Sequence, residues 1–267
     1  MRTYKGSTIL VTGASRGIGA AIARQLIDPS VRLLLTARNE EKLQALAREI
    51  EAHGGHSAIF PHDLGVPGAA STLYAQITEQ GYAPDVLINN AGFGSHSAFA
   101  EHDLDDFSSM VTLNVTNLMA LTHRCLPHMR AQGRGGVLNV ASTAAYTPIP
   151  FMAVYGATKS FVLSFSQALH AEVKPDGVTV TCLCPGPTDT SFFDRAQFDR
   201  TQVEGSVLGA AGFETPEYVA KVGLQALLAG HMSVVAGTSN RVAVAAGRVL
   251  PTRALVSVLR RILAPND

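Results

Sequence analysis

Short apolar runs alternate with long amphipathic runs along almost the whole chain, and this alternation restricts the possible folds more than any other feature. Strand-like segments occupy Thr8–Thr12, Val31–Thr36, His56–Pro61, Asp85–Asn89, Gly136–Ser142, Val178–Cys184 and Ser233–Ala236. Helical periodicity fills the intervals, over Gly17–Ile27, Glu40–Ala52, Ala69–Gln80, Leu104–Ala131, Phe151–Lys174 and Pro216–Ala229. Several strand segments are apolar at nearly every position, as expected when both sheet faces are covered. Parallel strands need crossovers, and crossovers are right-handed. The pattern therefore predicts an α/β fold, a doubly wound parallel sheet of about seven strands with helices on both faces. His53-Gly54-Gly55 and Gly133-Arg134-Gly135-Gly136 close helices, and Pro175-Asp176-Gly177 turns into a strand. No linker or internal repeat interrupts residues 1–267, which predicts one domain.

Composition removes several functional classes. Hydrophobic residues make up 46% and charged residues 16%, enough for a sizeable core and too little charge for disorder. The formal net charge is zero, and no basic stripe interleaves with aromatics, which argues against nucleic acid. The chain runs from Met1 almost directly into a strand, with no signal peptide in view, and no apolar run is long enough to span a bilayer. Cys125, Cys182 and Cys184 have neither disulfide-framework nor zinc spacing and read as buried thiols. The nine histidines show no metal spacing, so no metal is expected, and His62 reads as a surface or ribose neighbour rather than a ligand. The expectation is a soluble, cytoplasmic protein.

Between the first strand and the first helix lies Thr12-Gly13-Ala14-Ser15-Arg16-Gly17-Ile18-Gly19. Glycines there let the backbone turn sharply and approach a pyrophosphate at the helix N-terminus, as in a Rossmann-type dinucleotide site. The second strand ends in Ala37-Arg38, without the carboxylate that would hold an unmodified ribose. Arg38 and Arg16 supply two guanidinium groups suited to a 2′-phosphate, which favours NADP(H) over NAD(H).

Tyr155 and Lys159 stand four residues apart in a predicted helix and so share one face. A lysine ammonium beside a phenol lowers its pKa, giving a proton donor and acceptor usable near neutral pH. The same spacing also describes an ordinary solvated helix face. Ser142 lacks the elbow and the neighbouring base of a hydrolase nucleophile.

The glycine-rich turn, Asp63-Leu64, Asn89-Asn90-Ala91-Gly92, Asn114, Ser142, Tyr155 with Lys159, and Pro185-Gly186-Pro187-Thr188-Asp189-Thr190 occur in this order. Over roughly residues 6–237 the chain thereby resembles the short-chain dehydrogenase/reductase family, in its compact single-domain branch. The resemblance implies that Tyr155 exchanges a proton with the substrate oxygen and that Ser142 hydrogen-bonds that oxygen. It implies that Lys159 lowers the tyrosine pKa and bonds the nicotinamide ribose, while Asn114 holds a water linking Lys159 to solvent. Asp63 would hold the adenine amino group, and Leu64 would border the ring. Asn90, Ala91 and Gly92 would lie along the cofactor ribose, and Pro185, Gly186, Thr188 and Thr190 would cover the nicotinamide and phosphates. The implied activity is an NADPH-dependent carbonyl reductase or alcohol dehydrogenase, with a 3-oxoacyl or hydroxysteroid type of substrate. The alternative is a protein on the same fold that senses NADPH without turnover.

Residues 189–215 are irregular and carry Phe192, Phe193, Phe198, Val207, Leu208 and Phe213, which reads as a substrate lid or as a small insertion docked on the core. Tyr146, Pro148, Ile149, Pro150, Phe151 and Met152, with Phe93, Gly94 and His96, are expected to form the opposite wall and to suit an apolar small-molecule carbonyl. The tail over about 240–267 contains an amphipathic helix from Thr252 to Leu263, which packs on its own protein, on a second subunit or on a membrane surface. The resemblance also implies a homodimer or homotetramer built through Leu104–Ala131 and Phe151–Lys174.

Overall fold

Seven strands form where the apolar runs are: β1 (Thr8–Thr12), β2 (Arg32–Ala37), β3 (His56–Pro61), β4 (Val86–Asn89), β5 (Gly135–Val140), β6 (Val178–Cys184) and β7 (Ser233–Val235). In this computed structural model, which describes residues 3–196 and 212–264, they make one sheet. The order is β3-β2-β1-β4-β5-β6-β7 and every pairing is parallel. The near-continuous hydrophobicity of the strands now has its reason. Ile9, Val11, Leu33, Leu35, Val86 and Ile88 pack on one face of the sheet, and their neighbours Leu10, Leu34, Leu87, Val137 and Val180 pack on the other. Successive residues point to opposite faces, so a sheet covered twice needs both sets apolar.

The helices that cover the first face are α1 (Gly17–Gln25), α2 (Glu40–Ala52) and α8 (Pro216–Ala229). The second face carries α3 (Ala69–Glu79), α4 (Leu104–Val111), α5 (Leu118–Ala131) and α6 (Ala153–Val173). A one-turn helix α7 (Phe192–Arg195) precedes α8, and α9 (Thr238–Val249) and α10 (Thr252–Ile262) complete the chain. Of the hydrophobic residues expected in 189–215, Phe198, Val207 and Leu208 lie outside the described residues.

Two features depart from the sequence expectation. The single helix expected over Leu104–Ala131 is interrupted by a π-helical turn at Thr112–Asn117. This wider turn shifts the helical register and is often found at functional sites. Here it buries two asparagines side by side. Asn117 donates to Leu64 O (2.7 Å) and Val66 O (2.9 Å) and accepts from Ala70 N–H (3.2 Å). Asn114 reaches instead to the loop after β4. A strict 3.6 period in the apolar residues hides such a turn, because only one residue is added. The second departure is α9, a helix whose described side chains are all exposed or half-buried and which therefore leaves no core stripe in the sequence.

A buried polar chain crosses the second face. The Asn89 carboxamide donates to Thr122 Oγ1 (3.0 Å) and to Asn139 Oδ1 (2.9 Å), and Asn139 donates to Ser166 Oγ (2.9 Å). It fastens α5, β4, β5 and α6 beneath the residues that follow β4. Because Asn139 is fully buried, removing its oxygen strands an amide N–H of Asn89 away from water. We expect Asn139→Leu to lower unfolding stability by about 2–3 kcal/mol, read as a fall in the urea midpoint at unchanged m-value.

Candidate active site

Strands β1 and β4 are neighbours, with Val11 paired to Ile88, yet the chain winds outward from them in opposite directions. In such a sheet the crevice opens beyond the carboxyl ends of these two strands. Thr12 closes its floor. The Thr12 hydroxyl donates to Ile88 O (3.2 Å) and accepts from the N–H groups of Asn90 (3.0 Å) and Ala91 (2.9 Å). Asn90 answers by donating to Thr12 O (3.0 Å) and Gly13 O (3.2 Å). Gly13 has φ +66°, and a Cβ there would lie 2.8 Å from Asn90 Nδ2, so both the conformation and the close approach require glycine. Above this floor lies a cavity of about 720 Å³.

One end of the cavity is lined by Gly13, Ser15, Arg16, Gly17 and Ile18, and by Thr36, Ala37, Arg38, Asn39, Lys42, His62, Asp63 and Leu64. Helix α1 begins here without a side-chain cap, whereas Asn39 caps α2 and Thr215 caps α8. Its first-turn N–H groups are thus available to an anion, and no acidic residue occupies that turn. Thr36 Oγ1 and His62 Nε2 are buried with no protein partner, which marks a wall made to meet a polar ligand. Arg38 stands 3.8 Å from Asp63 in a half-exposed pair, too loose to commit either side chain. Gly19 packs behind the lining, against the Gly13 carbonyl. Across the cleft run Asn90, Ala91 and Gly92 and, from the end of β6, Pro185, Gly186, Pro187, Thr188 and Thr190. This arm is stiffened by the Thr188 hydroxyl donating to Gly186 O (2.9 Å). Thr190 sits against Gly17, so the arm folds over the glycine turn.

Ser142, Tyr155 and Lys159 meet at the other end of the cavity. Ser142 follows β5 and is turned inward by its own backbone cap, its Oγ accepting from Ala144 N–H (3.1 Å). The Ser142 hydroxyl faces the phenol of Tyr155 closely enough to oppose the rise in its pKa. Tyr155 lies in the first turn of α6, its ring 5.3 Å from that of Phe192. A Cβ on Gly94 would come within 2.9 Å of the Tyr155 ring, so only hydrogen at that position leaves the ring where it is. One turn further along α6, Lys159 donates from Nζ to Val140 O (3.0 Å), and Nζ lies 5.7 Å from the Tyr155 ring centroid. Asn114 stands behind the lining. Its carboxamide accepts from Phe93 N–H (3.2 Å) and donates to Phe93 O (2.9 Å) and Thr158 Oγ1 (3.1 Å), pinning the 92–94 loop to α6.

The protonation energetics differ from the expectation of a phenol acidified by its lysine. Burial pushes the Tyr155 pKa up to about 12, opposed only by the nearby Ser142 hydroxyl, and burial pulls Lys159 down to about 8. Both groups are out of water in the ligand-free protein, and desolvation disfavours each charged form. The ammonium is held by a carbonyl, not by the phenol oxygen. Proximity along the helix is present, and the expected downward shift is not.

The wall residues divide. Phe93, Ile149 and Met152 line the cavity, joined by Leu113, Phe192 and Phe193. Tyr146, Pro148, Pro150, Phe151, Gly94 and His96 do not line it. Tyr146 contacts Cys184 Sγ (3.6 Å) beneath Arg248, and His96 turns to the C-terminus. Sequence reasoning missed Lys42 and Leu263. Lys42 was detectable as the next cation after Arg38 in the first turn of a helix leaving the same strand. Leu263 had no local signal.

A family model described as short chain dehydrogenase matches residues 7–200, and the chain belongs to that family. It is 30% identical over 258 residues to the ketoacyl reductase HetN of Nostoc sp., covering 94% of this chain and 88% of the relative. Over 186 residues it is 37% identical to a serine 3-dehydrogenase of Agrobacterium fabrum, covering 69% and 73%. Among solved structures, a short-chain dehydrogenase from Sphingobium yanoikuyae in complex with NADPH superposes with a TM-score of 0.79 at 28% identity, over 98% of both chains. A 7beta-hydroxysteroid dehydrogenase gives a TM-score of 0.83 at 25% identity, over 97% of this chain and 98% of that one.

The buried lysine has a measurable consequence for the ligand-free protein. Below about pH 8 Lys159 carries its proton in both folded and unfolded chains; between that and its ordinary value of 10.5 only the unfolded chain keeps it. The unfolded state then binds more protons, so this group makes stability rise with pH across that window. We expect Lys159→Met to be more stable than wild type at pH 7 and to lose most of that advantage by pH 10, measured by urea unfolding without added nucleotide.

Proposed function

We propose that the protein is an NADPH-dependent carbonyl reductase, acting reversibly on a ketone or aldehyde and its alcohol, with Tyr155 as the proton donor. The observation that carries this reading is the convergence of Ser142, Tyr155 and Lys159 at one end of a cavity whose other end holds an uncapped helix and three cations, Arg16, Arg38 and Lys42. Bound there, the nicotinamide supplies or accepts a hydride. The first turn of α1 and the two buried polar atoms Thr36 Oγ1 and His62 Nε2 offer donors and acceptors of the kind a dinucleotide needs. Arg16, Arg38 and Lys42 serve a 2′-phosphate; no carboxylate ends β2 to compete for the ribose. Asp63 and Leu64 border the adenine, and Pro185, Gly186, Thr188 and Thr190 close over the nicotinamide end.

On the substrate, the Ser142 and Tyr155 hydroxyls both point hydrogen-bond donors at the carbonyl oxygen, where negative charge grows in the transition state. Tyr155 gives its proton to that oxygen. A phenol held near 12 by burial does not remain ionised at neutral pH. It must be refilled at once, and Lys159, held near 8, titrates close enough to neutrality to do so. Asn114, through the π-helical turn, keeps the loop beside Lys159 in place and belongs to the route by which the lysine regains a proton. The segment 189–215 acts as a lid. Its two ends are joined, Asp189 N–H to Glu214 O (2.9 Å) and Glu214 N–H to Pro187 O (3.0 Å), and Phe192 from it packs on the tyrosine ring. The chain works as a homo-oligomer, for which the exposed Val111 and Met119, and Phe161 on α6, provide apolar contact surface.

Tyr155→Phe is expected to cut turnover about a thousandfold while leaving the NADPH dissociation constant nearly unchanged, measured by NADPH oxidation and fluorescence titration. Undiminished turnover would remove the tyrosine from its role. NADPH binding with no oxidation on any carbonyl by the wild type would instead favour a sensor. Arg38→Asp is expected to shift the NADPH/NADH preference toward NADH by roughly tenfold to a hundredfold. An unchanged ratio of kcat/KM values would exclude Arg38 from phosphate binding.

A further inference from the structure

The apolar face of α10 is already covered by its own chain. Leu259 and Leu263 are buried, and with Leu255 and Ile262 they pack on Ile149, Phe151, Met152, Phe192, Phe193 and Phe213. The end of the helix is also anchored, His96 Nε2–H donating to the Leu263 carbonyl at 2.7 Å. This bond fixes the register of the tail, because a slide by one residue would present another side chain to the same place. The result is that Leu263, some seventy residues after the preceding lining residue, Phe193, is only 2% exposed and lines the cavity.

The surroundings of Leu263 define what it would touch. The apolar lining residues around it are Phe93, Leu113, Ile149, Met152, Phe192, Phe193 and Leu263, and Ser191 adds a hydroxyl beside Phe192. Of the lining cations, Arg16, Arg38 and Lys42 come from the glycine turn, the end of β2 and the start of α2, on the dinucleotide side of the cleft, and Lys159 stands beside the reacting tyrosine. A carboxylate, sulfonate or phosphate placed among these apolar side chains would lose its hydration with no described cation beside it to replace it.

We infer that the C-terminal helix is a wall of the substrate pocket and that Leu263 is a specificity-determining residue, set against the hydrocarbon part of an uncharged ketone. This rests on the reductase reading above and deepens it. The tail is neither a free amphipathic anchor nor mere surface packing; it completes the site from the side opposite the glycine turn. His96 is its positioning residue, acting on substrate only through the Leu263 carbonyl.

The test uses the full chain loaded with NADPH and a graded series of straight-chain methyl ketones. Their dissociation constants are read from NADPH fluorescence, and turnover is followed in parallel. Leu263→Ala should weaken the best-bound ketone roughly tenfold and move the preferred chain length upward. Leu263→Phe should move it downward. The NADPH dissociation constant should hold in both. Leu255→Ala, on the same helix but outside the cavity lining, controls for loosened packing and should leave the chain-length preference unchanged. His96→Phe should weaken every ketone while NADPH affinity is retained. An unchanged preference in both Leu263 variants, or an equal change in Leu255→Ala, would overturn the inference. The two readings separate cleanly. Ketone binding that responds to Leu263 without any turnover refutes the reductase and leaves the wall; turnover indifferent to Leu263 does the reverse.

Discussion

The site depends on how β1 and β4 are held where they part. At a switch point the two strand ends diverge into opposite halves of the sheet, and the crevice between them exists only while something ties them. Thr12 and Asn90 provide the tie, with one hydroxyl serving three backbone groups and one carboxamide serving two. Buried hydrogen bonds of this kind are strong against loss because each orphaned partner would sit away from water. The glycine turn, the Asn90–Gly92 loop and, through Gly92, the neighbourhood of Lys159 are all placed from this one junction. Below it the Asn89–Asn139–Ser166 chain carries the same tie into β5, which Ser142 follows, and α6, which bears Tyr155. Cofactor side and reacting side are thus joined by polar bonds through an otherwise apolar interior.

Burial sets the chemistry of the reacting end. Tyr155 and Lys159 are removed from water together, and each is pushed toward its neutral form. A charged pair would cost more desolvation than the distance between them returns, which is why Lys159 settles on a carbonyl in the ligand-free protein. The arrangement suits a proton that is passed along rather than stored. In the proposed reaction the phenol is the donor, the serine a second donor to the same oxygen, and the lysine, held near 8, the group that refills it. The opposite end of the cavity follows the reverse rule, with Arg16 and Arg38 standing at the solvent-exposed edge of the cleft.

Helix periodicity, strand hydrophobicity and turn chemistry made most of the architecture legible. β1, β3, β6, α2 and α8 have the ends that their sequences predict, because each begins or stops at a strong local signal such as Asn39, Gly177 or Thr215-Pro216. The glycine turn and the residues after β4, β5 and β6 were equally legible, since strand ends are where a parallel sheet presents ligands. The π-helical turn was not, because one added residue leaves the apolar stripe almost intact. Nor were α9, which has no core face, and the split among the wall residues, where Phe93 enters the cavity and Phe151 does not.

The amino-acid sequence alone determined a parallel sheet covered on both sides, a glycine-rich turn between strand and helix with cations in place of a carboxylate, and a tyrosine and lysine on one helical face. These are local properties, set by side-chain period, backbone freedom and spacing. Tertiary structure alone decided the charge state favoured by that tyrosine and lysine, because desolvation depends on everything packed around them. It alone also decided that the tail turns inward, since the surface that buries Leu259 and Leu263 is assembled largely from segments more than forty residues away in the chain. No window of sequence contains that surface, and only the folded chain does.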